Sequence, residues 1–187
     1  FIESCKKISY LFPRAHAVAY VMMAFRIAWF KVYHPLAFYA AYFSIRAKAF
    51  DLRIMTGDLK TQMTEFNRIK ALDRSASPRD KDLMSALEVS MEMYQRGYRF
   101  INVDIQHSEA RRFSIKDGAL LPPFLAIDSL GETVADAIVE ERNERPFTSL
   151  KDLQRRCKVS NTIIDLMKDL KCCGELPEDE QMSLFGA

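Results

Sequence analysis

Hydrophobic and polar positions repeat with two different periods along this chain. From His16 to about Tyr94, apolar residues recur at three- and four-residue spacing, which predicts helices. Between Arg99 and Leu121 the spacing shortens towards two, which predicts extended segments. Helical spacing then returns in shorter pieces. We therefore predict a mainly α chain with a small β hairpin.

The ends of the predicted elements coincide with residues that favour them. Pro35 and Pro78 stand in first-turn positions of helices, and Gly97 follows the fourth helix. Asp117-Gly118 separates two extended runs, as in a tight β turn. The predicted helices cover residues 16–32, 36–45, 59–72, 78–94, 132–143, 150–156 and 161–170.

Pro122-Pro123 closes the β insert and marks a predicted boundary. Residues 1–121 form the first predicted domain and residues 122–174 a second, helical one. The last stretch, residues 175–187, is polar and acidic at its start, so we predict a flexible tail there. The chain begins with Phe1 inside an amphipathic pattern, and we expect it to be a fragment of a longer protein.

Composition limits the possible classes only weakly. About half of the 187 residues are apolar, about a quarter are charged, and the net charge is +2. The most apolar region, residues 15–45, is broken by Arg26, Lys31 and Pro35. Its longest uncharged run is shorter than the roughly 20 residues that a membrane helix needs. We predict a buried helix pair there and no membrane partner.

Metal-binding patterns are absent from the sequence. Cys172 and Cys173 are adjacent, and no second pair completes a zinc site. We expect reduced, partly buried thiols. The closely spaced acids Asp80 and Asp82 lie in a predicted first helical turn, where the helix dipole favours acids. The sequence therefore predicts no metal site in this chain.

Cations cluster before the first helix. Lys6 and Lys7 precede it, and Arg14 and His16 lie at its start. Helix N-termini favour phosphate through free N–H groups and the dipole. Arg14 is suited to a forked contact with a triphosphate and His16 to a hydrogen bond, while Tyr20 is one turn further on. The alternative is a solvated basic loop followed by a core helix.

Residues 126–135 have the outline of a helix-hairpin-helix, in which a turn presents backbone N–H groups to a DNA phosphate. Ser129 and Glu132 match a capping box. A more degenerate unit follows, where a helix capped by residues 147–149 turns at residues 157–160 into the last helix. An ordinary helical hairpin is the alternative. The predicted DNA contacts are Leu130, Gly131, Thr133, Lys158, Ser160 and Asn161.

The tail contains Gln181-Met182-Ser183-Leu184-Phe185. This pentapeptide resembles those by which bacterial replication proteins bind the sliding clamp. Leu184 and Phe185 would enter a pocket, and Gln181 would hydrogen-bond at its rim. The alternative is a terminus that folds back onto the domain.

Most of the chain resembles C-family bacterial DNA polymerases of the PolC branch. The resemblance rests on residues 4–8, 10–17, 30–43, 87–98 and 103–104. It implies that residues 1 to about 50 are fingers that close over a deoxynucleoside triphosphate, with Lys6, Lys7, Arg14, His16 and Tyr20 near it. It also implies a tandem helix-hairpin-helix over product DNA. Asp128 and Ser129 depart from the family's Pro and Gly, and Asp128 would repel phosphate.

The resemblance places the catalytic aspartates and their Mg²⁺ ions in a palm outside this chain, which alone should be inactive. The expected function is the C-terminal part of a replicative DNA polymerase. Its expected partners are primer–template DNA, deoxynucleoside triphosphate, the β sliding clamp and other replisome subunits in the cytoplasm. One alternative is a non-catalytic helix-hairpin-helix adaptor that recruits the clamp. Another is a helical interaction protein without nucleic acid.

Overall fold

A computed structural model describes residues 3, 6 and 14–179. Its secondary structure is mainly helical, as predicted, with a single antiparallel hairpin in this part of the chain. The α-helices are α1 (Arg14–Tyr33), α2 (Pro35–Ile45), α3 (Leu52–Met55), α4 (Leu59–Leu72), α5 (Pro78–Gln95), α6 (Glu132–Glu144), α7 (Leu150–Cys157) and α8 (Asn161–Asp169). The strands are β1 (Ser114–Lys116) and β2 (Ala119–Leu121), and 3-10 turns cover Asp73–Ser75 and Phe124–Ala126.

The β hairpin forms where Asp117-Gly118 predicts it. β1 and β2 are antiparallel, with Ile115 opposite Leu120. Asp117 and Gly118 both have positive φ, at 51° and 73°, as a type I′ turn requires. The preceding run is not a strand, although its alternation predicts one. Phe100 makes an isolated bridge to Leu120, and the Asn102 side chain then accepts the Val103 N–H at 2.9 Å, which ends the pairing.

The first core cluster joins α2–α5 to the β hairpin. Tyr39 and Phe43 of α2 are buried against Leu87 of α5 and against Phe100 and Leu120. The rings of Phe43 and Phe100 pack edge to face, with centroids 4.9 Å apart. This packing places the predicted fingers segment directly beside the β insert.

The second core cluster holds the three C-terminal α-helices together. Phe124, Ile138, Leu153 and Met167 are fully buried in it. Val103 and Ile105 also belong to it, and the Ile105 N–H donates to the Cys172 carbonyl at 3.1 Å. The predicted boundary at residue 122 therefore cuts through this core, because residues 103–105 pack with the hairpins that follow.

The cysteines of the described part are free and buried. They are Cys157, Cys172 and Cys173. Burial raises the pKa of Cys157 and that of Cys172 to about 12. These thiols are therefore protonated at neutral pH and pack as small apolar groups.

Helix α1 is exposed, and the prediction of a buried helix pair is wrong for it. None of its residues is buried, whereas α2 buries Tyr39 and Phe43. By length and composition α1 would suffice to cross a membrane, but that is weak support for a span. Its last turn contacts α5, because Lys31 pairs with Glu92 at 2.7 Å and the Lys31 carbonyl accepts from Arg96 at 2.9 Å.

The predicted flexible tail does not hold for residues 175–179. Leu176 packs against the second core cluster. The carbonyls of Pro177 and Glu178 accept hydrogen bonds from the N–H groups of Leu150 and Lys151 at 2.9 and 3.2 Å. Acidic composition suggests a solvated tail, but the unsatisfied amides at the start of α7 bind this stretch.

Candidate nucleic-acid interface

Two turns in the C-terminal core have the same backbone geometry. In the first, Ser129 has a φ of 64° and Gly131 then caps α6. In the second, Lys158 has a φ of 54° and Ser160 caps α8. The cap residues have nearly identical angles, with φ/ψ of −75°/156° at Gly131 and −71°/155° at Ser160. We call these two turns hairpin turn 1 (residues 127–131) and hairpin turn 2 (residues 157–160).

The helices around the two turns repeat the same buried positions. At matching offsets from the cap, both units bury an apolar side chain before the turn, one within it and two in the following helix. These pairs are Phe124 and Leu153, Leu130 and Val159, Ala135 and Ile164, and Ile138 and Met167. The tandem helix-hairpin-helix prediction is therefore confirmed at the level of the fold.

Hairpin turn 1 presents the start of α6 without a side-chain cap. Gly131 is exposed, and no side chain accepts its neighbouring N–H groups. The predicted capping box is wrong, because Ser129 lies in the left-handed turn and Glu132 pairs with Arg111. Leu130 is buried, and its N–H donates to the Ile127 carbonyl at 3.2 Å, so it holds the turn in shape.

Acidic side chains surround hairpin turn 1, and arginines oppose them. Asp128 is exposed and lies 3.3 Å from an Nη of Arg79, which comes from the first turn of α5. Arg111 pairs with Glu132 and Asp136, and its guanidinium lowers the pKa of the Asp136 carboxyl. The positive charges of the arginines therefore offset the negative charges of the acids around this turn.

Hairpin turn 2 is the more basic of the two. Lys158 is exposed, and the described residues give it no carboxylate within ion-pair distance. Ser160 caps α8, with its hydroxyl accepting the Ile163 N–H at 3.4 Å. Asn161 follows in an exposed position and accepts a hydrogen bond from Gln154. An unpaired cation beside exposed helix-start amides favours a phosphate.

A buried carboxylate stabilises the first turn of α7, in the second hairpin. Asp152 of α7 is fully buried and lies 2.9 Å from Arg155 and 3.3 Å from both Arg145 and Arg156. Burial alone would raise the pKa of Asp152, but hydrogen bonds from Arg155, the Thr148 N–H and Arg156 outweigh it and lower that pKa. The same Arg156 binds Glu141 of α6 at 2.9 Å, which ties the two hairpins together.

The predicted nucleotide-binding residues are only partly brought together. Lys7 and the clamp peptide of residues 181–185 lie outside the described residues. Lys6 is exposed and lies 3.4 Å from Glu3. The rings of His16 and Tyr20 are 4.4 Å apart and share one face of α1. Arg14 is the first residue of α1 and lies roughly 160° around the helix from His16.

Asp80 and Asp82 do not form a metal site in this structure. Asp80 accepts from the Ser77 hydroxyl at 2.6 Å and from its N–H at 3.1 Å, so it caps α5. It also lies 3.5 Å from Arg68. Within residues 3, 6 and 14–179, no group of three or more histidines, cysteines or acids has metal-binding geometry.

Sequence reasoning missed the arginines beside hairpin turn 1. Arg79 and Arg111 line a cleft of about 490 Å³ between α2 and that turn, together with Lys48 and Asp128. These side chains come from four separate segments of the chain. No local pattern marks them, and only the packing of the two core clusters assembles them.

Known proteins with similar sequences cover the chain almost completely. A family model described as a helix-hairpin-helix motif matches residues 97–181, and so begins before the β hairpin. A DNA polymerase III of the PolC type from Caldanaerobacter subterraneus subsp. tengcongensis is 48% identical over 99% of this chain. One from Streptococcus pyogenes serotype M12 is 47% identical, again over 99% of the chain. The chain spans 13% of the length of each relative. At this identity over nearly its whole length, the chain belongs to the PolC-type DNA polymerase III family, of which it represents one segment.

Proposed function

We propose that this segment grips product duplex DNA for a replicative DNA-directed DNA polymerase. The observation that carries the proposal is the pair of hairpin turns with matching backbone angles at Gly131 and Ser160. Each points the first amides of a helix outward, and such amides bind phosphate regardless of base sequence. Two turns in tandem suit a backbone that repeats its phosphates, as a DNA strand does.

Hairpin turn 2 provides the stronger grip in this proposal. Lys158 adds a cation without a carboxylate partner in the described structure, whereas hairpin turn 1 has Asp128 beside it. We therefore assign phosphate contacts to Lys158, Ser160 and Asn161, and weaker ones to Gly131 and Thr133. Leu130 supports turn 1 from inside the core.

Removing the lysine of hairpin turn 2 tests the grip directly. In the intact polymerase, we expect Lys158→Ala to weaken binding of primer–template DNA and to reduce the slope of log affinity against log salt by about 1. The measurement is a salt titration of duplex affinity by fluorescence anisotropy. Ser160→Gly should change affinity little, because the backbone amides remain and Gly131 caps α6 in the same way.

Lys171→Ala is a matched control for that experiment. Lys171 is also exposed and has a φ of 55°, close to the 54° of Lys158, but it follows the far end of α8. Backbone strain and net charge therefore change equally in the two variants. If Lys171→Ala alters the salt slope as much as Lys158→Ala does, the assignment of hairpin turn 2 is wrong.

At hairpin turn 1, a substitution of Asp128 is expected to strengthen DNA binding, whereas the substitution of Lys158 is expected to weaken it. Asp128→Asn removes a negative charge beside exposed helix-start amides and frees Arg79, which lies 3.3 Å away. We expect duplex affinity at low salt to rise by about two- to fivefold, since an exposed charge acts through a screened field. Glu175→Gln removes an equally exposed acid at a remote position and serves as the comparison. An unchanged affinity for Asp128→Asn would mean that turn 1 does not approach the phosphates.

The nucleotide contacts belong to the same proposal. His16 and Tyr20 share a face of α1, which suits one nucleotide-facing surface, and Lys6, Lys7 and Arg14 add charge near its start. In the intact enzyme, palm carboxylates outside this chain would hold the Mg²⁺ ions and perform the chemistry. The relatives are polymerases by name, and a cytoplasmic replisome is the corresponding location.

Clamp tethering by residues 181–185 completes the proposal. Two adjacent apolar anchors in a polar terminal stretch suit a pocket on a partner. Tethering would raise the effective concentration of the polymerase at the primer end without adding chemistry. A non-catalytic adaptor that recruits the clamp is the second candidate, because the two hairpin turns would suit such a protein equally well. The gene sequence that encodes this segment separates the two, since an adaptor would lack a palm.

A further inference from the structure

The stretch before the clamp peptide is bound to the second hairpin by its backbone. The N–H groups of Leu150 and Lys151 donate to the carbonyls of Pro177 and Glu178, at 2.9 and 3.2 Å. Leu150 and Lys151 are the first two residues of α7, whose N–H groups have no acceptor within the helix. Residues 177 and 178 therefore complete the cap that Ser149 begins at the Asp152 N–H.

Side chains from both helices of the second hairpin reinforce this attachment. Lys168 of α8 lies 2.6 Å from Glu178, and Lys151 of α7 pairs with Asp179. The hydrogen bond from Lys168 lowers the pKa of the Glu178 carboxyl. Such exposed pairs add little stability on their own. The attachment therefore depends mainly on the two backbone bonds and on Leu176, which packs against the core.

The attachment lies at the opposite end of the helix pair from the DNA-binding turn. Hairpin turn 2 joins the end of α7 to the start of α8, while residues 177–179 contact the start of α7 and the end of α8. α7 has eight residues and is about 12 Å long. The two sites therefore lie at different ends of the same helix pair.

We infer that residues 175–179 are a clip that fixes the chain just before the clamp-binding peptide to the second hairpin, away from its DNA-binding turn. The inference rests on the proposed clamp-binding role of residues 181–185. With the clip in place, the tether from Asp179 to Leu184 is roughly five residues long and can reach at most about 17 Å. Clamp and duplex are thus held close together and on different ends of the same two helices.

Two insertions of equal length distinguish an attached stretch of residues 175–179 from an unattached one. About six Gly and Ser residues are placed either between Gly174 and Glu175 or between Asp179 and Glu180 of the intact polymerase. A clip leaves the tether unchanged in the first variant, since only a surface loop grows. In the second variant the tether about doubles, and clamp-dependent retention on primer–template DNA should fall by about threefold. If the tail is not attached, clamp-dependent retention should fall by the same factor in both variants.

Hydrogen exchange reports on the clip itself. The Leu150 and Lys151 amides should exchange slowly in both insertion variants and fast in a polymerase truncated after Gly174. Equal retention in the two insertion variants, or fast exchange of these amides in the parent enzyme, would overturn the clip.

The double variant Leu184→Ala with Phe185→Ala tests clamp binding separately. If that variant keeps its clamp affinity, the proposed tether fails even where the amides are protected.

Discussion

Replacing both Leu184 and Phe185 with alanine is expected to weaken binding of the sliding clamp by about a hundredfold or more. Two buried anchors at the centre of a peptide interface each contribute about 2 kcal/mol, and 1.4 kcal/mol corresponds to a factor of ten. The peptide has no other apolar pair, because Met182 and Ser183 precede the anchors. The measurement is surface plasmon resonance of the intact polymerase on immobilised clamp.

Ser183→Ala is the matched control for this prediction. It changes the same pentapeptide but leaves Gln181, Leu184 and Phe185 in place, so clamp affinity should stay within about threefold of the parent value. Duplex binding in the absence of clamp should be the same in all three proteins. Unchanged clamp affinity of the double variant would remove the clamp assignment and leave the duplex grip standing.

Asp152→Ala is expected to lower the free energy of unfolding of the hairpin domain by about 2–3 kcal/mol, because buried hydrogen-bonding groups lose their partner. The carboxylate is fully buried, and Arg145, Arg155 and Arg156 surround it. Its loss leaves Arg156, itself largely buried, without one partner and leaves the Thr148 N–H without its acceptor. The measurement is hydrogen exchange of the slowest α6 and α7 amides, which report the domain's own opening.

Asp165→Ala is the comparison, because Asp165 is an exposed acid of α8 and its removal should change stability by less than about 0.5 kcal/mol.

The pH dependence of stability provides a second check on Asp152. The folded pKa of Asp152 is lowered, so its contribution is present above the unfolded value of about 3.9 and is lost as pH falls through the folded value. The stability difference between parent and Asp152→Asn should therefore shrink below about pH 4. A difference that grows on acidification would contradict the charge network.

Local patterns in the sequence predicted the helical elements well. Residues 59–72 were predicted as a helix and α4 has those bounds, because an amphipathic run between clear end signals needs little tertiary help. Asp117-Gly118 predicted the β turn, since that pair readily adopts positive φ. Residues 157–160 predict the turn of the second hairpin, and this stretch contains the left-handed residue Lys158.

The predictions that differ from the structure do so for different physical reasons. The predicted capping box at Ser129 is wrong because the helix begins only at Glu132, with Gly131 and not Ser129 as its N-cap. Val103 and Ile105 pack with the hairpins, across the boundary that the sequence predicts at residue 122. The short helix α3 was not predicted, since four residues give too little periodicity.

By itself, the sequence determined the helices, the two turns, the chemistry of the tail and the family. Each of these depends on residues within a few positions of one another or on similarity along the whole chain. Only the tertiary structure decided which charges oppose Asp128, how Asp152 is stabilised and where residues 175–179 attach. Those contacts join segments that are far apart in the chain, and packing of the two cores sets their distances. A linear pattern carries no such distances, so these contacts appear only in the fold.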